Sequence, residues 1–341
     1  MSKARPPFEE SLKTPIKDLG LTIEGTPLEP IIEEFKAELA RLGIQIRPRF
    51  YLSTEWGVPF GTVAIALPFY LVRSELIELH ADKVGHIEGL SKPEILRYLR
   101  HEMGHAINYA YRLYEREEWI ELFGSITQPY LEEYRPSPFS RRFVRHLPGW
   151  YAQKHPDEDW AETYAVWSTP GVDWRSEYSQ WPSALAKLEY CDRTMKALAH
   201  QEPAGTDSAT DEDVAELQYS LEQFYERPGD VATDAMPHGL ASALRVIFDD
   251  WGDLSVAGDP SAARPASALL RRMERDLLDN VFRWTGHFPE RTRVLVRHLE
   301  KLADELGQGY PEHREMEVAI AITTLVTALA MSHVYTGNYL P

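Results

Sequence analysis

The sequence predicts an α+β domain followed by an all-helical extension, and three observations carry that reading. Two β-branched runs near the N-terminus, Ile44 to Leu52 and Val58 to Leu67, have the alternation of strands. Elsewhere apolar residues recur mostly at helical spacing. A polar stretch over residues 201–213, containing Pro203, Gly205, Thr206, Asp207 and Ser208, has the composition of a linker. The expected division is a domain over 1–200, a linker at 201–213 and a helical domain over 214–341.

Taken in order, Leu28 to Leu42 reads as an amphipathic helix with Ile31, Ile32, Phe35, Leu39 and Leu42 on one face. The two strands follow, with Gly57 and Gly61 marking turns or a bulge. Ser91-Lys92-Pro93-Glu94 is a capping box with proline in the first turn, where its missing N–H costs nothing. From there Ile95, Leu96, Leu99, Met103, Ala106, Ile107, Ala110 and Leu113 predict a helix from about Lys92 to about Tyr114. Residues Gln128 to His155 read as mostly irregular, with four prolines: Pro129, Pro136, Pro138 and Pro148. Helices resume at Asp157 and near Ser183 to His200. Beyond the linker they are expected at about Ala263–Thr285, Pro289–Leu306 and His313–Val334.

Composition narrows the class. The 341 residues suit a large domain with an extension, or two domains. A net charge of -17 argues against nucleic acid and against anionic membrane surfaces. The lone Cys191 excludes an intramolecular disulfide framework. No apolar run of a secretory signal follows Met1 to Pro7, so the expected location is the cytoplasm. The longest apolar stretch, about Val318 to Ser332, contains three threonines and reads as a buried helix too short to span a bilayer.

The chemistry is concentrated in His101-Glu102-Met103-Gly104-His105, an H-E-x-x-H motif inside a predicted helix. Histidines four apart point from one helical face, one turn above the other. They can grip one zinc ion, with Glu102 beside it to take a proton from a zinc-activated water. Gly104 is roughly 1 kcal/mol worse than alanine in a helix, so its use between two ligands is close packing. A third protein ligand is required. Downstream, Pro156-Asp157-Glu158-Asp159-Trp160-Ala161-Glu162 opens a helix on which Glu158 and Glu162 share a face with Ala161 and Ala165. One glutamate can ligate zinc while the other holds a ligand histidine through its outer ring nitrogen.

This pair of motifs resembles the gluzincin metallopeptidases, in which the third ligand is a glutamate opening an E-x-x-x-D or E-x-x-x-E helix. The wording Pro156 to Thr163 is closer still to a bacterial family of zinc-binding metallopeptidases. The resemblance covers roughly residues 10–200. It implies a zincin-like fold, Zn2+ held by His101, His105 and Glu158, and Glu162 behind a ligand histidine. Family members often carry an N-terminal cysteine zinc ribbon; a chain with one cysteine has none. Lethal-factor-type gluzincins also place an oxyanion-steadying tyrosine seven residues before the ligand glutamate, where Tyr151 stands here.

The expected function is thus zinc-dependent hydrolysis of a peptide or protein substrate, with Glu102 as general base and Tyr151 at the oxyanion. In a zincin the strand nearest the active-site helix exposes an edge that a substrate can join, and Val58 to Leu67 is the candidate. Arg141, Arg142 and Arg145, with Arg135 and His146 nearby, form a cationic cluster that could bind an acidic side chain or a terminal carboxylate. Two alternatives stand: a non-catalytic zinc-stabilised interaction module, and a narrow-specificity processing protease for one partner protein.

Overall fold

The computed structural model describes residues 8–130, 134, 136–137, 139–199, 201–205, 207–226, 239–252 and 263–339. Arg135 lies outside them. The chain is a predominantly helical α+β protein divided into two compact units, residues 1–80 with 87–228, and residues 81–86 with 229–341.

The first unit contains α1 (Phe8–Lys13), α2 (Leu28–Arg41), β1 (Arg49–Ser53), β2 (Ala64–Pro68), most of α3 (Ser74–Val84), α4 (Lys92–Ala110), α5 (Glu117–Phe123), α6 (Pro156–Ser168), α7 (Trp174–Glu177), α8 (Pro182–Leu198) and α9 (Leu221–Glu226). Phe35 and Leu39 of α2, Ile65 and Leu67 of β2, and Leu99, Met103 and Ile107 of α4 are buried core. Arg100 of α4 closes a buried fork onto Glu38 of α2, with bonds of 3.0 and 2.9 Å.

Both strands are shorter than expected. β1 begins only at Arg49, because Pro48 has no N–H to give a ladder. β2 begins only at Ala64, because Pro59 likewise has no donor and Gly61 turns the chain at φ 81°. The pair is parallel, in register from Arg49↔Ala64 to Ser53↔Pro68. Every residue of β2 is buried, so the expected exposed edge is not there. The loop ahead of it folds back, and Ala66 donates to the Gly57 carbonyl at 2.8 Å.

The expected linker at 201–213 belongs to the first unit. Hydrogen bonds tie its described residues to that unit, among them Ala204 N–H to Ala110 O at 2.7 Å, Val63 N–H to Asp207 O at 2.7 Å, and Ser53 Oγ to Asp211 O at 3.2 Å. A composition that suits a flexible tether also suits a strap pinned by hydrogen bonds.

The second unit is not all-helical. Its helices α10 (Leu240–Ile247), α11 (Ala266–Thr285), α12 (Pro289–Glu305) and α13 (Glu315–Thr336) accompany a three-stranded antiparallel sheet of β3 (Asp249–Asp250), β4 (Ala263–Pro265) and β5 (Gln308–Pro311), ordered β3-β5-β4. Strands of two to four residues carry too little alternation to be read from sequence. Leu270, Leu295, Leu299, Ile322 and Val326 form its core. The helical run Glu312–Thr336 has 25 residues and contains an 18-residue window of mean hydropathy 1.7, long and apolar enough to cross a membrane by length and composition alone. That corrects the expectation of a run too short to do so. Thr323 and Thr324 each return their hydroxyl to a carbonyl of their own helix at 2.8 Å, which hides their polarity. Val318, Ile322, Val326 and Leu329 are buried, a stripe at the spacing of a core-facing helix.

Candidate metal centre

α4 starts where its cap dictates. Glu94 accepts the backbone N–H of Ser91 at 3.1 Å, completing the capping box. The helix stops at Ala110, four residues short of the expected Tyr114, because Arg112 turns left-handed at φ 49°. α6 is capped by His155, whose Nδ1 accepts the Asp157 N–H at 3.2 Å. Pro156 opens it and acidic residues fill its first turn.

The two helices touch at Gly104. A Cβ there would lie 2.7 Å from Ala161 Cα, so only glycine allows the approach. Trp160 Nε1 ties the contact by donating to Gly104 O at 2.8 Å. The sequence reading of Gly104 as a close-packing residue holds.

That approach brings three donors together. Glu158 Oε2 lies 3.0 Å from His101 Nε2 and 3.2 Å from His105 Nε2, and the two nitrogens are 3.2 Å apart. All three residues are buried. Tetrahedral zinc with bonds near 2.0–2.1 Å requires ligand atoms about 3.3 Å from one another. The triangle therefore has the edges of one face of such a tetrahedron. Two imidazole nitrogens facing one carboxylate oxygen also make the donor set of a divalent metal. The residues present fit a metal ion.

Each histidine has its own carboxylate behind it. Glu162 Oε1 lies 2.9 Å from His101 Nδ1, and its Oε2 accepts the N–H groups of His146 and Leu147 at 3.1 and 2.9 Å. Asp157 Oδ2 lies 3.1 Å from His105 Nδ1, close enough to pair although not aligned for a hydrogen bond. Asp157 is held in turn by Asn108 Nδ2 at 2.7 Å and Tyr109 OH at 2.5 Å. Asp159 faces away and pairs with buried Lys187. Sequence reasoning found Glu162 but not Asp157, which looked like one member of an acidic helix start. The available signal was its position, one residue before a ligand on a helix packed against α4.

Electrostatics follow from burial and from these partners. Burial disfavours protonated His101, yet Glu158 and Glu162 outweigh it and raise its pKa to about 9. Burial opposes the charge of Glu158 too, but His105 and His101 hold its pKa well below the ordinary range. Burial raises Glu102 to about 7, against the pull of His101 and His105. Asp159 is also raised to about 7 by burial, with Lys187 opposing.

The stripe Tyr98, Glu102, His105, Tyr109 runs along one face of α4. Trp56 stacks on Tyr98 with ring centroids 5.1 Å apart, and Phe60 packs on Tyr109 at 4.9 Å. Residues 56–60 therefore flank the ligand turn from end to end. Near the cradle stand two tyrosines. Tyr151 has its ring 5.5 Å from that of His101, and its hydroxyl lies 3.3 Å from that of Tyr130. Tyr130 OH donates to Glu158 Oε1 at 2.7 Å. No spacing rule pointed to Tyr130, because an irregular segment delivers it.

Arg141, Arg142 and Arg145 are exposed. Arg145 lies over the Trp181 and Trp150 rings at 5.0 and 5.9 Å, while Arg142 lends its carbonyl to Lys187. His146 is turned inward, its Nε2 3.0 Å from Arg97 O, and burial lowers its pKa to about 4. Comparisons with protein-family models, curated proteins and solved structures find no match to this chain.

Proposed function

We propose that this chain is a gluzincin-type zinc peptidase with a zincin-like catalytic unit, acting in the cytoplasm on a peptide or protein substrate. The observation that carries the reading is the buried His101–His105–Glu158 triangle on an H-E-x-x-H helix. Zinc, when bound, lowers the pKa of water toward about 7 and polarises a carbonyl. Glu102, next to His101 and on the same stripe of α4 as His105, accepts the proton of the attacking water and returns it to the leaving amine. Glu162 and Asp157 fix the orientation of the two imidazoles. Tyr151 supplies a hydroxyl for the oxyanion. Residues 56–60 form one wall of the substrate cleft, taking the place expected of Val58 to Leu67. Arg141 and Arg142 are available to an acidic side chain or a terminal carboxylate.

Glu102→Gln tests this directly. Metal content should stay at one equivalent while hydrolysis of an unstructured protein falls on the order of a hundredfold or more. A variant that loses its metal, or a metal-loaded wild type without hydrolysis, would overturn the assignment.

One observation favours a second reading, a non-catalytic metal-stabilised interaction module: His101, His105 and Glu158 are only 2, 7 and 4% exposed. Metal uptake with no hydrolysis of any protein would support it.

A further inference from the structure

We propose that Tyr130 is a positioning residue that holds Glu158 to single-oxygen ligation, and so keeps the site four-coordinate. The inference rests on the metal-centre reading above. A carboxylate has two oxygens, and Glu158 uses them differently. Oε2 faces the histidine nitrogens at 3.0 and 3.2 Å, whereas Oε1 accepts Tyr130 OH at 2.7 Å. A carboxylate can also ligate with both oxygens. That would add a fifth donor to a hydrolytic zinc site, which holds three protein ligand atoms and a water. The Tyr130 bond must break for Oε1 to turn inward, and a hydrogen bond to a charged group resists this more than a neutral one.

The tyrosine is itself held in place. A phenol has one proton, and Tyr130 gives it to the carboxylate, which only accepts. The bond between the two phenols therefore runs from Tyr151 to Tyr130, at 3.3 Å. Lys154 Nζ sits over both rings, 4.3 Å from Tyr130 and 5.3 Å from Tyr151. The His155 ring lies 5.2 Å from that of Tyr130. The order Tyr151, Tyr130, Glu158 is a chain of donors ending on the ligand oxygen that does not face the metal triangle.

The test is cobalt substitution of the full chain. Co2+ reports coordination number through its visible absorption, which weakens as four-coordination gives way to five. Tyr130→Phe keeps the ring and removes the hydroxyl. It should weaken the visible band and lower metal affinity about tenfold, the low end of losses for groups that orient ligands. Tyr151→Phe should leave the band at wild-type intensity, because its hydroxyl bonds Tyr130 rather than a ligand residue. An unchanged band and affinity in Tyr130→Phe would overturn the proposal. So would lost hydrolysis with an unchanged band, since Tyr130 would then be acting on substrate. If the wild type takes up no Co2+ or Zn2+, the metal-centre reading fails, and this inference with it.

Discussion

Buried histidines stand in both units, and the surroundings of His101 and His105 in the first are opposite in kind to those of His287 in the second. In the first unit His101 and His105 each have two carboxylates within 3.2 Å of their ring nitrogens. In the second, His287 is 1% exposed and faces hydroxyls, with Nδ1 2.7 Å from Thr292 Oγ1 and Nε2 2.8 Å from Tyr339 OH. Burial, then His333 and Arg291, lowers the pKa of His287 to about 3. The same side chain at similar burial is pushed toward charge by one set of neighbours and toward neutrality by the other. Hydroxyls satisfy a neutral imidazole, donor for acceptor. Three carboxylates around two imidazoles carry more negative charge than a neutral pair can balance, and a divalent cation balances it.

The largest effect should come from removing the ligand oxygen. Glu158→Ala is expected to abolish stoichiometric zinc uptake, while Glu162→Ala and Asp157→Ala each cost about 10–100-fold in affinity. Asp159→Ala should leave affinity nearly unchanged and instead cost about 3–5 kcal/mol of stability, because it strands buried Lys187. Competition with a chromogenic chelator, alongside denaturant unfolding, ranks the four. If Asp159→Ala proves the worst of them for zinc, the ligand assignment is wrong. His287→Gln should leave zinc uptake intact; a loss there would erase the distinction between the two settings.

An intermediate effect tests how the carboxylates reach the histidines. Gly104→Ala puts a methyl 2.7 Å from the Ala161 backbone, so α4 and α6 must part. Overpacking of this kind costs about 1–3 kcal/mol, and the metal triangle should widen with it. A variant with wild-type zinc affinity would show that the cradle tolerates separation.

The two settings were not equally legible. H-E-x-x-H, its capping box and the paired glutamates of α6 are short-range patterns on regular helices, and the structure keeps all of them. Asp157 and Tyr130 depend on tertiary approach: one on α6 meeting α4, the other on an irregular segment meeting Glu158, 28 residues further along the chain. The β2 edge was misread because a β-branched run outweighed the punctuation of Pro59 and Gly61. The strap at 201–213 was misread because polar composition does not say whether hydrogen bonds go to water or to protein. His287 carries no motif at all; its partners lie 5 and 52 residues away.

The smallest effect concerns pH, and it isolates His287. Its folded pKa of about 3 lies below the value of about 6.5 for a free imidazole. Between those values the unfolded chain binds a proton that the folded unit refuses. Stability from this residue is therefore intact above about pH 6.5 and is lost progressively as pH falls toward 3. At pH 5.5 the loss is about 1.4 kcal/mol. Other groups titrate in the same range, so the quantity to measure is the difference between wild type and His287→Gln. Denaturant unfolding of the full chain at pH 7.5 and 5.5, followed by a probe in the second unit, gives it. The wild type should lose about 1.4 kcal/mol more than the variant between the two conditions. Equal losses would mean that His287 accepts its proton in the folded state, and that hydroxyl partners alone do not keep a buried histidine neutral.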